Sequence, residues 1–271
     1  MSKKYGGDTA NAESNDDEPA YVQSVAPDPR RLDPLDNPRI QEEGCDAITS
    51  EKKYYVFSDV PNGAVFIKRN LTPSEYIVAR WNGELVIPDM LMERMKNEAA
   101  TIRYIQSNTT IPTPNIRCAF EDHGRYYIIT DIVPGVTLAE VPEEKRSIVI
   151  EELQGYISQM HALKSKVIGG VLGSVILPHR FRKFLPGSKI PRFREAQTAQ
   201  FVMCHNDLSQ HNIIVDEVTL KINAILDWEY AGFFPPEFDG AFYLRPGPSA
   251  ALEGEVNDVQ DLLQVLEQWK I

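Results

Sequence analysis

Two aspartates and an asparagine carry the clearest chemical signal in this 271-residue sequence. Asp207 and Asn212 lie in the octapeptide His205-Asn206-Asp207-Leu208-Ser209-Gln210-His211-Asn212, and Asp227 follows Asp207 by 20 residues in Ile225-Leu226-Asp227-Trp228-Glu229. A carboxylate on a loop between apolar runs can orient an acceptor hydroxyl and receive its proton. A second carboxylate with an amide oxygen suits Mg²⁺, which takes hard oxygen donors and bridges phosphate oxygens. The set therefore points to phosphoryl transfer, with Asp207 at the hydroxyl and Asn212 and Asp227 on the metal. His205 reads as structural rather than catalytic. Cys204, closing an apolar run, reads as a buried inert thiol. His205 and His211, six residues apart with no third His or Cys near, do not make a metal pair. Trp228 is expected to pack, and Glu229 to make a polar contact beneath the loop.

The elements that must hold these residues follow from hydrophobic spacing. Residues 54–57 and 64–68 read as a hairpin around Pro61-Asn62-Gly63. Residues 91–106 read as a helix, with Leu91, Met95, Ala99, Ile102 and Ile105 on one stripe. Pro112 and Pro114 forbid its continuation. A second hairpin is expected over 116–120 and 125–133, an amphipathic helix over 144–163, and strands at 201–204, 213–216 and 220–226. The stretch 165–200 gives a poor signal, and Gly169-Gly170-Val171-Leu172-Gly173 reads as a plain loop. Glu98 falls on the apolar stripe of its helix, where a carboxylate without a partner costs several kcal/mol. Lys68 on the preceding strand is the expected partner. Arg80 is the rival, placed second because arginine is not an equivalent of lysine at a phosphate site.

The spacing H-x-D-L-x-x-x-N followed by Asp227 resembles a kinase catalytic loop. Together with Cys204, Ile225 and Leu226, it resembles the aminoglycoside phosphotransferase and choline kinase-like superfamily, particularly its fungal members. The resemblance extends to Phe66-Ile67-Lys68-Arg69, Asn97-Glu98-Ala99-Ala100, Thr110-Ile111-Pro112-Thr113-Pro114 and the hinge-like stretch 127–135. It implies an α+β, bilobal protein-kinase-like fold with a β-rich N-lobe over 45–133 and a helical C-lobe over 134–271. It implies Mg²⁺ and ATP or GTP in the interlobe cleft, Lys68 and Glu98 at the phosphates, and the Thr130, Asp131 and Ile132 backbone at the purine edge. Asn206 departs from the pattern, standing where many members have Gly. No G-x-G-x-x-G precedes Lys68, and residues 44–54 are a weak phosphate-covering loop.

Composition narrows the partners. The chain holds 28 Lys+Arg against 39 Asp+Glu, a net charge of −11, which opposes nucleic-acid and anionic-membrane surfaces. Neither a signal peptide nor a membrane-spanning apolar run is evident, so a cytoplasmic location is expected. Residues 1–50 carry 5 Lys+Arg, 11 Asp+Glu and five prolines, and residues 1–44 read as an acidic disordered tail. The favoured activity is transfer of the γ-phosphoryl of ATP or GTP to a hydroxyl of a small molecule. A protein Ser/Thr kinase would need a longer segment, since Pro235-Pro236-Glu237 begins only eight residues after Asp227. A catalytically silent, nucleotide-binding regulatory protein is the other alternative. Glu229, Glu237, Asp239, Glu253, Glu255, Asp258 and Asp261 favour a cationic acceptor.

Overall fold

A computed structural model describes residues 42–58, 63–79, 83–181, 184, 191–252 and 254–271. The N-terminal part is a five-stranded antiparallel sheet in the order β1-β2-β3-β5-β4. Its strands are β1 (Ala47–Ile48), β2 (Lys52–Phe57), β3 (Val65–Asn70), β4 (Ile116–Asp122) and β5 (Arg125–Asp131). Helix α1 (Leu91–Asn108) crosses between β3 and β4. The expected stripe Leu91, Met95, Ala99, Ile102 and Ile105 is buried along its whole length, with Leu91, Met95 and Ala99 packed on Ile128 of β5.

The C-terminal part is an α+β assembly in which long turns and short 3-10 segments outnumber the helices. Helix α2 (Glu143–Ala162) is followed, near the chain end, by α3 (Val259–Glu267). Two small sheets complete this part. One has the order β10-β9-β6, from β6 (Val136–Thr137), β9 (Ile213–Val215) and β10 (Ile222–Ile225). The other has the order β11-β8-β7, from β7 (Lys164–Ser165), β8 (Phe201–Cys204) and β11 (Gly232–Phe234). A β-rich part is followed by one that carries α2 and α3, the α+β order expected of a bilobal kinase-like fold. Among the described residues no helix is long and apolar enough to cross a membrane.

The glycine stretch after α2 is a loop, as its sequence implies, and it has a packing task. Gly169 exchanges backbone hydrogen bonds with Phe233 at 3.0 and 2.8 Å. A Cβ on Gly170 would lie 2.2 Å from Asn97 Oδ1, and one on Gly232 would lie 2.8 Å from Gly169 O. Glycine at these two positions lets α1 and β11 approach the loop closely. Arg80 lies outside the described residues, as does the tail up to residue 41. Glu42, near the end of that expected tail, pairs with Lys53 at 2.9 Å and also with Arg69.

Candidate active site

The loop that carries Asp207 is fixed from beneath. His205 is fully buried, packs tilted against Trp228 with ring centroids 4.6 Å apart, and has Nε2 2.8 Å from Leu226 O. Only a protonated Nε2 can donate to that carbonyl, which leaves Nδ1 to accept from the Asp207 N–H at 3.3 Å. Burial pushes the His205 pKa down, so the imidazole stays neutral. It acts as a scaffold. The backbone N–H groups of His205 and Asn206 both donate to Asp239 Oδ1, while His161 Nε2 sits 3.0 Å from Asp239 Oδ2. Asn206 has φ +68, in the left-handed region that glycine enters freely and asparagine tolerates. Its Nδ2 donates to Tyr230 O at 2.8 Å. Asn206 thus holds a backbone conformation that glycine would also adopt.

Asn212 Nδ2 donates to Asp207 O at 2.7 Å, which leaves the amide oxygen as its remaining coordinating atom. Asp227, at the end of β10 with φ +63, accepts from Lys68 Nζ at 2.9 Å. Lys68 Nζ lies 2.5 Å from Glu98 Oε1 as well, so β3 and α1 meet at this lysine. Burial favours the neutral form of Asp227, but the Lys68 and Lys52 ammoniums outweigh it and hold the carboxyl well below its usual range. Glu98 is pushed up to about 7 by burial, because the charge of Lys68 is shared with the ionised Asp227. Asp207 is likewise raised to about 7 by burial, a value suited to a base working near neutrality.

Around this group lies a cleft of about 530 Å³, open mouth included, lined by Tyr54, Phe66, Lys68, Glu98, Thr130 and Asp227 among others. Glu98 Oε2 and Thr130 Oγ1 are buried on its wall without a hydrogen-bond partner. Thr130 therefore faces the cleft, whereas Asp131 does not: its carboxylate is held by Arg117 at 2.5 Å and Asn115 at 2.7 Å. The N–H groups of Asp131 and Ile132 are donated to Asn115 O and Ala64 O at 3.0 and 3.4 Å.

Several contributors escaped the reading of the sequence. Lys52, on β2, is buried and pairs with Glu229 at 2.7 Å, giving Asp227 a second neighbouring ammonium. Arg94 of α1 reaches Glu51 at 2.7 Å, Glu229 at 3.5 Å and the Tyr230 hydroxyl at 2.5 Å. Asn97 donates to Glu229 O at 3.1 Å and Ala231 O at 2.8 Å. Ser249 donates its hydroxyl to Asp207 Oδ1 at 2.5 Å. A buried lysine with a partner 177 residues away leaves no local signal, and neither does a serine 42 residues beyond its aspartate. Of the acidic residues read as a field for cations, four are engaged internally. Glu229 holds Lys52, Asp239 holds the loop and His161, Glu255 pairs with Arg245 at 2.9 Å, and Asp258 with Arg180 at 3.5 Å. Glu253 lies outside the described residues.

Residues 180–269, which contain the catalytic-loop motif and Asp227, match the model of the phosphotransferase enzyme family. The likeness is to phosphotransferases. The resemblance to the aminoglycoside phosphotransferase and choline kinase-like superfamily thus rests on a family match as well as on the motifs. Among solved structures, the chain is similar to a thermostable mutant of aminoglycoside phosphotransferase APH(4)-Ia in ternary complex with ADP and hygromycin B. The identity is 16%, covering 70% of this chain and 67% of that one, with a TM-score of 0.46. An aminoglycoside-3'-phosphotransferase of type VIII gives 19% identity, 75% and 78% coverage and a TM-score of 0.45. A putative aminoglycoside phosphotransferase from Ralstonia eutropha JMP134 gives 13%, 84% and 78%, and 0.41. No curated protein sequence matches.

Proposed function

We propose that the protein is a phosphotransferase that moves the γ-phosphoryl of ATP or GTP to a hydroxyl of a small molecule. What supports this is the convergence of Asn212, Asp227, Lys68 and Glu98 at one cleft, from β3, α1, the loop after β8 and the end of β10, with Asp207 tied to Asn212 through its backbone carbonyl. Asp207 takes the acceptor proton; its raised pKa puts it in reach of both protonation states at neutral pH. Lys68, held by Glu98, serves the phosphates. Asp227, ionised, and the amide oxygen of Asn212 form a hard oxygen pair that fits Mg²⁺. The metal, when bound, would neutralise charge on the phosphate oxygens. The same reading assigns 45–133 to the nucleotide and 134–271 to the loop, metal and acceptor side.

The acceptor is a small hydroxylated molecule, because the segment after Asp227 turns at once through Trp228–Tyr230 into β11 and offers no platform for a peptide. With Glu229, Asp239, Glu255 and Asp258 already paired, a preference for amines would rest on the exposed Glu237 and Asp261 and on the overall charge of −11. A specific observation favours the catalytically silent alternative. Tyr54 and Phe66, stacked with centroids 5.8 Å apart, pack on Ile214, Ala224 and Leu226, and the turn between β1 and β2 is only Thr49-Ser50-Glu51, without a glycine. Thermal shifts with Mg²⁺ and ATP or GTP, followed by transfer assays on amino-alcohols, aminoglycosides, neutral sugars and a peptide array, separate the readings. A phosphorylated small molecule supports the enzyme; nucleotide binding with no turnover supports the silent form.

A further inference from the structure

The Ser249 hydroxyl stands where an acceptor hydroxyl has to stand. It donates to Asp207 Oδ1 at 2.5 Å, and Ser249 is 1% exposed. Asp207 can receive a proton only from a hydroxyl in hydrogen-bond reach, and in this structure that hydroxyl belongs to the chain itself. Two separate anchors keep it there. Gln210, on the catalytic loop, donates from Nε2 to Tyr243 O at 3.0 Å, which docks the incoming segment on the loop. Arg245 then folds that segment back, donating from Nη2 to Ser249 O at 3.2 Å and Ala250 O at 3.4 Å while Nη1 holds Glu255 at 2.9 Å. Between them, Pro246 and Pro248 flank Gly247 at φ +91, so the tether has few conformations. A nucleophile delivered on so short and restricted a tether has a high effective concentration at the base.

We propose that Ser249 is a modification site of the protein itself: with a nucleoside triphosphate bound and no external acceptor, the chain phosphorylates its own Ser249. This rests on the phosphotransferase reading of the same site. In the step, Ser249 Oγ forms a bond to the γ-phosphorus and the bond from that phosphorus to the β,γ-bridging oxygen breaks. The hydroxyl proton passes to Asp207, and a nucleoside diphosphate leaves. An external acceptor must first displace Ser249 from Asp207, so the two reactions compete for one base.

The test incubates the full-length chain with Mg²⁺ and γ-labelled ATP or GTP, without acceptor, and maps the label by peptide mass. One phosphate per chain on Ser249 is expected, at a first-order rate independent of protein concentration. S249T should retain labelling, and S249A and D207N should abolish it. An acceptor that is turned over should slow it. Phosphorylation of external acceptors with Ser249 unlabelled would overturn this inference and leave the proposed function standing. So would a rate that rises with protein concentration, because it signals transfer between molecules. Nucleotide left unconsumed with every acceptor would overturn both.

Discussion

Lys52 offers a quantitative test of how the site is held. Its ammonium and the Glu229 carboxylate are 2.7 Å apart, with side chains only 5% and 6% exposed. Lys52→Met keeps the apolar stem and removes the charge, leaving Glu229 buried beside the ionised Asp227 with Arg94 at 3.5 Å as its remaining cation. Removing one partner of a buried pair costs about 3–5 kcal/mol. At about 2–4 °C per kcal/mol for a chain of this size, the melting temperature should fall by roughly 6–20 °C. The reverse change, Glu229→Gln, should cost less, because Lys52 retains Asp227 as a counter-charge. The double variant Lys52→Met with Glu229→Gln should recover part of the loss, since it leaves no uncompensated charge. Thermal unfolding followed by circular dichroism reads all three. Equal losses for the two single variants, or a shift for Lys52→Met within a degree of zero, would refute the asymmetry.

Asp207→Asn should lower kcat by about 10²–10⁴ while nucleotide still binds, and wild-type activity should rise with pH through about 7 as Asp207 ionises. Because the Ser249 hydroxyl lowers the pKa of Asp207, the Ser249→Ala profile towards an external acceptor should be displaced to higher pH. Asp207 and Glu98 both bind protons more tightly folded than unfolded, so their stabilising share is full below the ordinary carboxylate range and is lost as pH rises towards 7; melting scans across that window check the sign. Asp227→Ala should abolish Mg²⁺-dependent nucleotide binding in titration calorimetry and leave the circular dichroism spectrum unchanged. Glu75→Gln, which strips a buried partner from Arg69 and Lys53, should lower the melting temperature more than Glu42→Gln, whose carboxylate is 43% exposed.

The sequence is most informative where local rules suffice. The stripe from Leu91 to Ile105 marks α1, and the carboxylate of Glu98 on that stripe leads directly to a cation on another element, which is Lys68. The short loop of polar residues after β8 singles out Asp207 and Asn212 as candidates because their spacing is itself unusual. Reading fails where burial depends on distant partners. Strand β2 begins at Lys52 rather than 54, and β3 runs to Asn70 rather than 68, because Lys52, Lys53, Arg69 and Asn70 are polar residues buried by contacts elsewhere. Arg69 and Lys53 meet Glu75, and Asn70 reaches Gly124 O and the Tyr126 N–H. A polar residue looks like a strand end to any periodicity rule. The acidic residues towards the C-terminus show the same limit in reverse, since a list of charges does not reveal that Glu229, Asp239, Glu255 and Asp258 are engaged internally.

The hydrogen bonds from Asn97 carry a mechanical consequence. One amide on α1 grips two carbonyls, those of Glu229 and Ala231, just past the aspartate of the proposed metal pair, and Gly170 leaves the opposite side of the amide no room to retreat. With Arg94 fastened to Tyr230 one turn earlier, tilting the helix outward would strand several buried polar groups at once, each costing about 1–3 kcal/mol. Helix and segment are therefore expected to travel as one rigid body, with Lys68 kept against Glu98. Gating of such a molecule would fall to its perimeter, where the proline-flanked strap over Asp207 can lift while the frame stays put.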